Sequence, residues 1–159
     1  MALADILVTL AKHEVRYIAV GGIAAVLRGA PINTRDVDIV YDRAEDNLSR
    51  LLEALADLDA YFRDDPRNLR PNESHLRSTG HKLLRTRFGL FDVLGTIEET
   101  TGYAELLPHS SPLEVMGVPV LVLSVERLIE VKRKLSRPKD RLMLLQLEAL
   151  QDELEKRRK

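Results

Sequence analysis

Apolar residues recur every three or four positions in several parts of the chain, which is the spacing of amphipathic helices. The pattern predicts long helices over residues 1–15, 44–58, 124–135 and 139–155. A shorter helix is predicted to begin after Gly21-Gly22, at Ile23, and to end before Gly29-Ala30-Pro31. Ser124 is expected to cap the third long helix with its hydroxyl group.

Short runs of β-branched and apolar residues predict strands between these helices. The strands are expected at residues 17–20, 37–41, 81–88, 90–94, 113–116 and 118–123, with a turn or bulge at Gly89 and a hairpin about Gly117. This order of elements predicts an α+β (mixed α/β) fold, in which one mixed, mostly antiparallel sheet is backed by helices. The polar segment 64–73, which holds two prolines, is expected to be a loop at the mouth of a site or a mobile flap.

The length of 159 residues predicts a single domain over residues 1–159, with a core of about 15–123 and C-terminal helices of about 124–156. The chain has no cysteine, which excludes disulfides, thiolate zinc sites and cysteine nucleophiles. Its formal net charge of -1 argues against an overall basic field for nucleic acid. No apolar run approaches the roughly 18 residues of a membrane span, so we expect a cytoplasmic protein without a membrane partner.

Two aspartates at the start of the second predicted strand carry the first chemical signal. Asp36 and Asp38 are two residues apart, so their side chains point to the same face, whereas Val37 points into the core. Two carboxylates about 4 Å apart repel each other by roughly 4 kcal/mol at an effective dielectric constant near 20. A divalent cation reverses that sign, and hard oxygen ligands suit Mg²⁺. A solvated strand start is the alternative interpretation of the pair.

Gly21-Gly22, between a strand and a helix, adds to this signal because the backbone N–H groups there can receive a phosphate. An ordinary tight turn is the alternative. Together, the glycine pair and the Asp36-Val37-Asp38 strand resemble the signature of the DNA-polymerase-β-like nucleotidyltransferase superfamily. The resemblance implies a palm-like fold and a third carboxylate on a later strand. Asp92, a lone charge in the apolar run 90–94, is the candidate, since an unpaired buried carboxylate is costly.

The C-terminal third is similar to the closing motif of the abortive-infection (AbiEii-type) toxins and of small antibiotic nucleotidyltransferases. The segments that carry this resemblance are residues 122–132 and 137–142. The resemblance implies that Lys132 contacts the triphosphate and that Asp140 is a catalytic or site-organising carboxylate. A solvated lysine and a favourable charge at a helix start are the alternatives.

Three polar residues near the front motif are further candidates for nucleotide binding. Arg28, Thr34 and Arg35 could neutralise phosphates or place the acceptor, or they could be surface residues. Many family members have serine where this chain has Gly22, so here the backbone alone would contact the β- and γ-phosphates.

The resemblance implies transfer of an NMP from an NTP, which is the substrate, with two Mg²⁺ ions at Asp36, Asp38 and Asp92. Asp92 or Asp140 would be the general base. The acceptor stays open between tRNA, a protein and a small hydroxylated molecule, and a cognate toxin or antitoxin is a further expected partner. The alternative is a catalytically inert binding or regulatory module of the same fold.

Overall fold

The computed structural model describes residues 2–135 and 137–158. Its helices are α1 (Ala2–Lys12), α2 (Gly21–Leu27), α3 (Glu45–Asp57), α4 (Glu73–Arg77), α5 (Tyr103–Leu106), α6 (Val125–Arg133) and α7 (Pro138–Arg158), with a 3₁₀ turn at Leu107–His109. Its strands are β1 (Tyr17–Val20), β2 (Asp36–Tyr41), β3 (Tyr61–Phe62), β4 (His81–Thr86), β5 (Gly89–Leu94), β6 (Ser110–Val115) and β7 (Val118–Leu123). None of the described helices is both long and apolar enough to cross a membrane.

Within the described residues, the seven strands form one sheet in the order β3-β4-β5-β2-β1-β7-β6. The pairs β2–β5 and β1–β7 are parallel, and the other four pairs are antiparallel. The predicted mixed and mostly antiparallel sheet is therefore confirmed. The two parallel pairs bring strands that are distant in sequence to the centre of the sheet, where β2 lies between β1 and β5.

Strand β2 separates the hydrophobic core from the polar face of the sheet. Val37, Ile39 and Tyr41 are fully buried, whereas Asp36 and Asp38, which alternate with them, are partly exposed. The apolar stripes of α1 and α3 belong to the same core, through Ile6, Leu7, Leu10, Leu48, Leu51 and Leu55. The core thus fixes which face of β2 carries the two carboxylates.

The structure corrects the prediction for the polar segment 64–73. The chain turns irregularly only as far as Asn72, whose side chain accepts a hydrogen bond from the His75 N–H and caps α4. Glu73 is therefore the first residue of a helix and does not belong to a loop. Strand β3, α4 and α5 were not predicted because they contain two, five and four residues, too few to show a period.

Other boundaries differ by only a few residues. Helix α2 begins at Gly21 and not at Ile23, and α7 continues to Arg158. The turn between β4 and β5 is formed by residues 87–88, while Gly89 begins β5 with a positive φ of 134°. Ser124 caps α6 as predicted, since its side chain accepts a hydrogen bond from the Arg127 N–H.

The C-terminal helix α7 packs beside α2. A Cβ atom placed on Gly22 would be 3.8 Å from Met143 Cε, and one placed on Gly29 would be 3.9 Å from Leu150 Cδ1. Helix α7 also packs against α6. The two C-terminal helices are thereby brought next to the glycine pair that precedes the body of α2.

Truncation of a core leucine tests this account of the core. We expect Leu51→Ala, on α3 and fully buried, to lower the free energy of unfolding by about 2–5 kcal/mol, because it removes apolar contacts and leaves a cavity. The control Leu142→Ala removes a leucine that is 59% exposed and should change it by less than about 0.5 kcal/mol. Urea denaturation measures both. Equal losses for the two variants would contradict the assignment of the core.

Candidate active site

The three predicted carboxylates meet on the polar face of the sheet. Asp36 and Asp38 lie on β2, and Asp92 lies on β5 directly beside Asp38 in the parallel register. One carboxylate oxygen from each of the three residues lies within 4.8 Å of those of the other two. This arrangement depends on the pairing of β2 with β5, strands that are separated by some fifty residues of chain. It is compact enough for all three side chains to share a cation.

Two of these carboxylate oxygens are buried without a hydrogen-bond donor. Among the described residues, Asp38 Oδ1 and Asp92 Oδ1 have no hydrogen-bond partner. Arg63 Nη1 lies 2.8 Å from Asp92 Oδ1, so the two side chains form an ion pair, but the N–H direction does not meet hydrogen-bond geometry. A buried acceptor without a donor is costly, and a bound cation would satisfy both oxygens.

Burial and mutual repulsion disfavour the ionisation of all three carboxyl groups at once. Burial, together with the charges of Asp36 and Asp92, raises the pKa of Asp38 to about 8. Burial also raises the pKa of Asp36, with a further contribution from Asp92. Lys132 acts in the opposite direction on Asp38, and Lys139 and Arg63 do so on Asp36. Hence the protein supplies some positive charge around the cluster, but not enough to cancel the repulsion.

The two glycines at the start of α2 are needed for packing against this cluster. Gly21 has a positive φ of 63°, and a Cβ atom on it would lie 2.3 Å from Asp38 Oδ2. A Cβ atom on Gly22 would lie 2.8 Å from Thr34 Oγ1. The Thr34 hydroxyl group in turn donates to the backbone oxygen of Asp36, at 3.1 Å. Gly21 therefore lets α2 begin in contact with Asp38, and Gly22 lets it pack against Thr34, a reason distinct from the predicted phosphate binding.

The sequence matches no protein-family model and no curated protein, but the structure is similar to several solved structures. Lincosamide antibiotic adenylyltransferase LnuA, in its lincomycin-bound form, aligns with a TM-score of 0.67 and 16% identity over 94% of this chain and 96% of its own. TM1012 of Thermotoga maritima, a proposed nucleotidyltransferase, aligns with a TM-score of 0.56 and 18% identity over 88% and 86%. Antibiotic-resistance factor ANT(2'')-Ia aligns with a TM-score of 0.53 and 17% identity over 98% and 90%.

The chain has the nucleotidyltransferase fold. At such low identities the comparison supports the architecture, and the roles of individual residues rest on their geometry in this chain. The palm-like sheet that the sequence resemblance implied is confirmed, with its carboxylate cluster at the junction of β2 and β5.

In this nucleotidyltransferase fold, the C-terminal helices bring a lysine next to the carboxylates. Lys132 is 9% exposed, and its Nζ atom donates to Asp140 Oδ1 at 2.9 Å. Arg137 Nε donates to Asp140 Oδ2 at 2.7 Å. Burial raises the pKa of Asp140, but these two cations outweigh it and hold the pKa below its usual value. Asp140 therefore stands outside the carboxylate cluster and anchors Lys132, which agrees with a site-organising role better than with a catalytic one.

Arg28, which the sequence predicts as a nucleotide contact, is engaged in hydrogen bonds to β6 and β7 in the structure. Its guanidinium group donates to the backbone oxygens of Val122, at 2.6 Å, and Leu123, at 3.2 Å, and to the Ser111 hydroxyl group, at 2.8 Å. Arg28 also follows the last residue of α2, about 10 Å along the helix from Gly21. It ties the C-terminal end of α2 to β7 and β6.

Arg35 is exposed and directly precedes the carboxylate pair, so it stays a candidate for phosphate binding. The sequence did not single out Arg63 or Lys139, although both place positive charge near the cluster. Arg63 reaches Asp92 because the two-residue strand β3 pairs with β4, and no periodic pattern indicates so short a strand. One sequence feature could have indicated Lys139: it lies next to Asp140, at the start of the last predicted helix.

Alanine substitution at two glycines with positive φ separates packing from backbone strain. We expect Gly21→Ala to destabilise the protein and to displace Asp38, because its Cβ atom would overlap Asp38 Oδ2. The control Gly117→Ala also has a positive φ, of 81°, but a Cβ atom there would have no neighbour within 4 Å. It should cost only about 1 kcal/mol. Thermal unfolding and Mn²⁺ titration of both variants measure the difference, and similar behaviour of the two would contradict the contact with Asp38.

The raised pKa of Asp38 predicts a pH-dependent stability of the metal-free protein. In the folded protein this carboxyl group has a pKa of about 8, above the ordinary value of 3.8. Folding therefore favours the neutral form, and this stabilisation is fully present below about pH 3.8 and is lost as the pH rises from there through about 8. We expect Asp38→Asn, neutral at every pH, to be more stable than the wild type in EDTA at about pH 9, by on the order of 2 kcal/mol or about 4–8 °C in Tm.

Below the ordinary value of 3.8 the carboxyl group is neutral in both the folded and the unfolded chain, so the difference in Tm between the two proteins should be small at about pH 3. Excess Mg²⁺ at high pH should reverse the order, because the wild type can bind the cation and the variant binds it weakly. A difference in Tm that does not change with pH would contradict the electrostatic account of the cluster.

Proposed function

We propose that this protein is a Mg²⁺-dependent nucleotidyltransferase that moves the AMP group of ATP onto a hydroxyl group of a small molecule. The observation that carries the proposal is the convergence of three carboxylates, two of whose oxygens are buried without a donor. The nucleotidyltransferase fold supports it. The donor and the acceptor class are supported by the similarity to LnuA, a lincosamide antibiotic adenylyltransferase whose structure contains lincomycin.

The side chains of Asp36, Asp38 and Asp92 fit Mg²⁺, because they present hard oxygen ligands close together at a site with excess negative charge. Bound Mg²⁺ would supply neutralisation of the triphosphate charge and a lower pKa for the acceptor hydroxyl group. In the proposed reaction, the three carboxylates would hold two such ions. In the metal-free protein the three carboxylates repel one another, and this repulsion favours binding of the cation.

The β1 side of the cluster is the proposed triphosphate site. The first backbone N–H groups of α2, at Gly21 and Gly22, have no partner within the helix and can donate to phosphate oxygens. Lys132, held by Asp140, and Lys139 add positive charge close to Asp38 and Asp36. Thr34, packed against Gly22, offers a hydroxyl group near the position that a serine side chain at residue 22 would occupy.

The opposite side of the cluster is the proposed place of acceptor attack, because Asp92 lies on β5, away from β1. The acceptor oxygen would attack the α-phosphorus, and the bond from that phosphorus to the bridging oxygen of the β-phosphate would break. Pyrophosphate would leave with the bonding electrons. Asp92 would accept the proton of the acceptor hydroxyl group as general base, while its ion pair with Arg63 holds its carboxylate in place.

A labelling assay tests the reaction. Purified protein with Mg²⁺ and ATP labelled at the α-phosphate is incubated in parallel with lincomycin and other hydroxylated small molecules, with total tRNA and with cell protein. We expect a labelled small-molecule product that EDTA abolishes. Asp38→Asn should lower its rate at least about 100-fold, the loss seen when one essential charge-stabilising group is removed.

Asp152→Asn is the matched control, because it makes the same change of charge at an exposed position on α7 and should leave the rate unchanged. Label on tRNA or on a protein would instead assign one of the other acceptors that the resemblance implies, including a cognate toxin or antitoxin. A wild-type protein with no stabilisation by Mg²⁺-ATP in thermal unfolding would support the inert module and overturn the proposal.

A further inference from the structure

A cavity of about 390 Å³ opens at the β3 edge of the sheet. Its lining includes Phe62, Asp64, Leu69, His75, His81 and Leu83. The volume falls in the range of about 300–1,000 Å³ that is typical of sites for small molecules. None of these residues belongs to the carboxylate cluster or to the basic residues near it, Arg63, Lys132 and Lys139, so the cavity is a separate feature of the molecule.

The cavity begins one strand away from the third carboxylate. Leu83 on β4 is the direct register partner of Asp92 on β5, and paired residues of neighbouring strands present their side chains to the same face. His81 is two residues from Leu83 and shares that face. The cavity therefore lies on the Asp92 side of the cluster, opposite to β1 and the glycine pair. A molecule bound there would approach Asp92 from the side on which Arg63 pairs with it, and would not cross the proposed triphosphate site.

The lining combines an apolar wall with one unpaired carboxylate. The rings of Phe62 and His75 pack edge to face, with centroids 4.9 Å apart, and His75 is held in place because its Nδ1 atom accepts a hydrogen bond from the Asn72 N–H. Asp65 also lines the cavity, but its carboxylate is paired with Arg67 at 3.0 Å. Asp64 is exposed and forms no ion pair with any described residue. Such a lining favours a ligand with an apolar body and a positive charge.

We propose that this cavity is the acceptor site of the enzyme, and that the acceptor is a small hydroxylated amine with an apolar body. The ammonium group would pair with Asp64, the apolar body would cover Leu83, and the hydroxyl group would extend toward Asp92. The inference rests on the proposed function for its chemistry, but binding in the cavity can be measured independently of nucleotide transfer.

A small probe with these features is trans-4-aminocyclohexanol, whose binding can be followed by NMR of methyl-labelled leucines. We expect it to shift the methyl signals of Leu69 and Leu83 more than that of Leu142, which lies on α7. Cyclohexanol and trans-4-hydroxycyclohexanecarboxylate, which lack the charge or reverse it, should bind more weakly. The assignment is overturned if the carboxylate binds as tightly as the amine, or if the amine shifts neither Leu69 nor Leu83.

Variants identify the carboxylate that recognises the amine. Asp64→Asn should weaken binding of the amine about two- to fivefold, the effect of an exposed ion pair, and leave cyclohexanol unaffected. Asp152→Asn, the control with the same change of charge on α7, should change neither affinity. Equal effects of the two variants would show that only the net charge of the protein matters, and would remove Asp64 from the proposed site.

A second measurement uses the cavity in the reaction itself, with the same amine as acceptor and ATP labelled at the α-phosphate. Leu69→Trp, which fills the cavity from a side chain that is 39% exposed, should lower label transfer to the amine about tenfold or more. It should leave Mg²⁺-ATP stabilisation unchanged. Leu142→Trp is the control and should alter neither. Without Mg²⁺-ATP stabilisation of the wild type, the proposed function fails, whereas undiminished transfer by Leu69→Trp in a protein that binds Mg²⁺-ATP overturns the acceptor site alone.

Discussion

Mutual repulsion among three carboxylates is the constraint around which this molecule is arranged. Asp36, Asp38 and Asp92 present oxygens within 4.8 Å of one another on a partly buried face of the sheet. Such proximity is unfavourable without positive charge nearby, and basic side chains approach the cluster from two directions. Arg63 approaches Asp92 from the β3 side, and Lys132 approaches from the C-terminal helices. The remaining deficit of positive charge is what makes the site suited to a divalent cation.

The buried ion pair in the C-terminal helices fixes the position of a lysine side chain. A buried pair adds little to stability, because desolvation of both groups offsets their attraction. Asp140 is fully buried, and it holds both Lys132 and Arg137. The consequence of the arrangement is geometric, since it fixes an ammonium group within electrostatic reach of Asp38.

The sheet also gives the site two distinct sides. Strand β1 and the start of α2 lie on one side of β2, and β5, β4 and β3 lie on the other. In the proposed reaction, donor and acceptor reach the carboxylates from these opposite directions, as an in-line displacement at phosphorus requires. The cavity beside Leu83 lies on the β5 side, away from the proposed triphosphate site.

The sequence by itself determined the local features: the helix and strand periods, the shared face of Asp36 and Asp38, the cap at Ser124 and the identity of the third carboxylate as a charge within an apolar strand. Each of these depends on neighbours within a few residues, so its signal is present in the pattern. Tertiary structure decided the rest. In the folded chain, Arg28 donates hydrogen bonds to the carbonyl oxygens of β7. The short strand β3 brings Arg63 to Asp92, and Gly21 packs against Asp38. These contacts join segments that are distant along the chain, and only the pairing of strands and the packing of helices determine which distant residues meet.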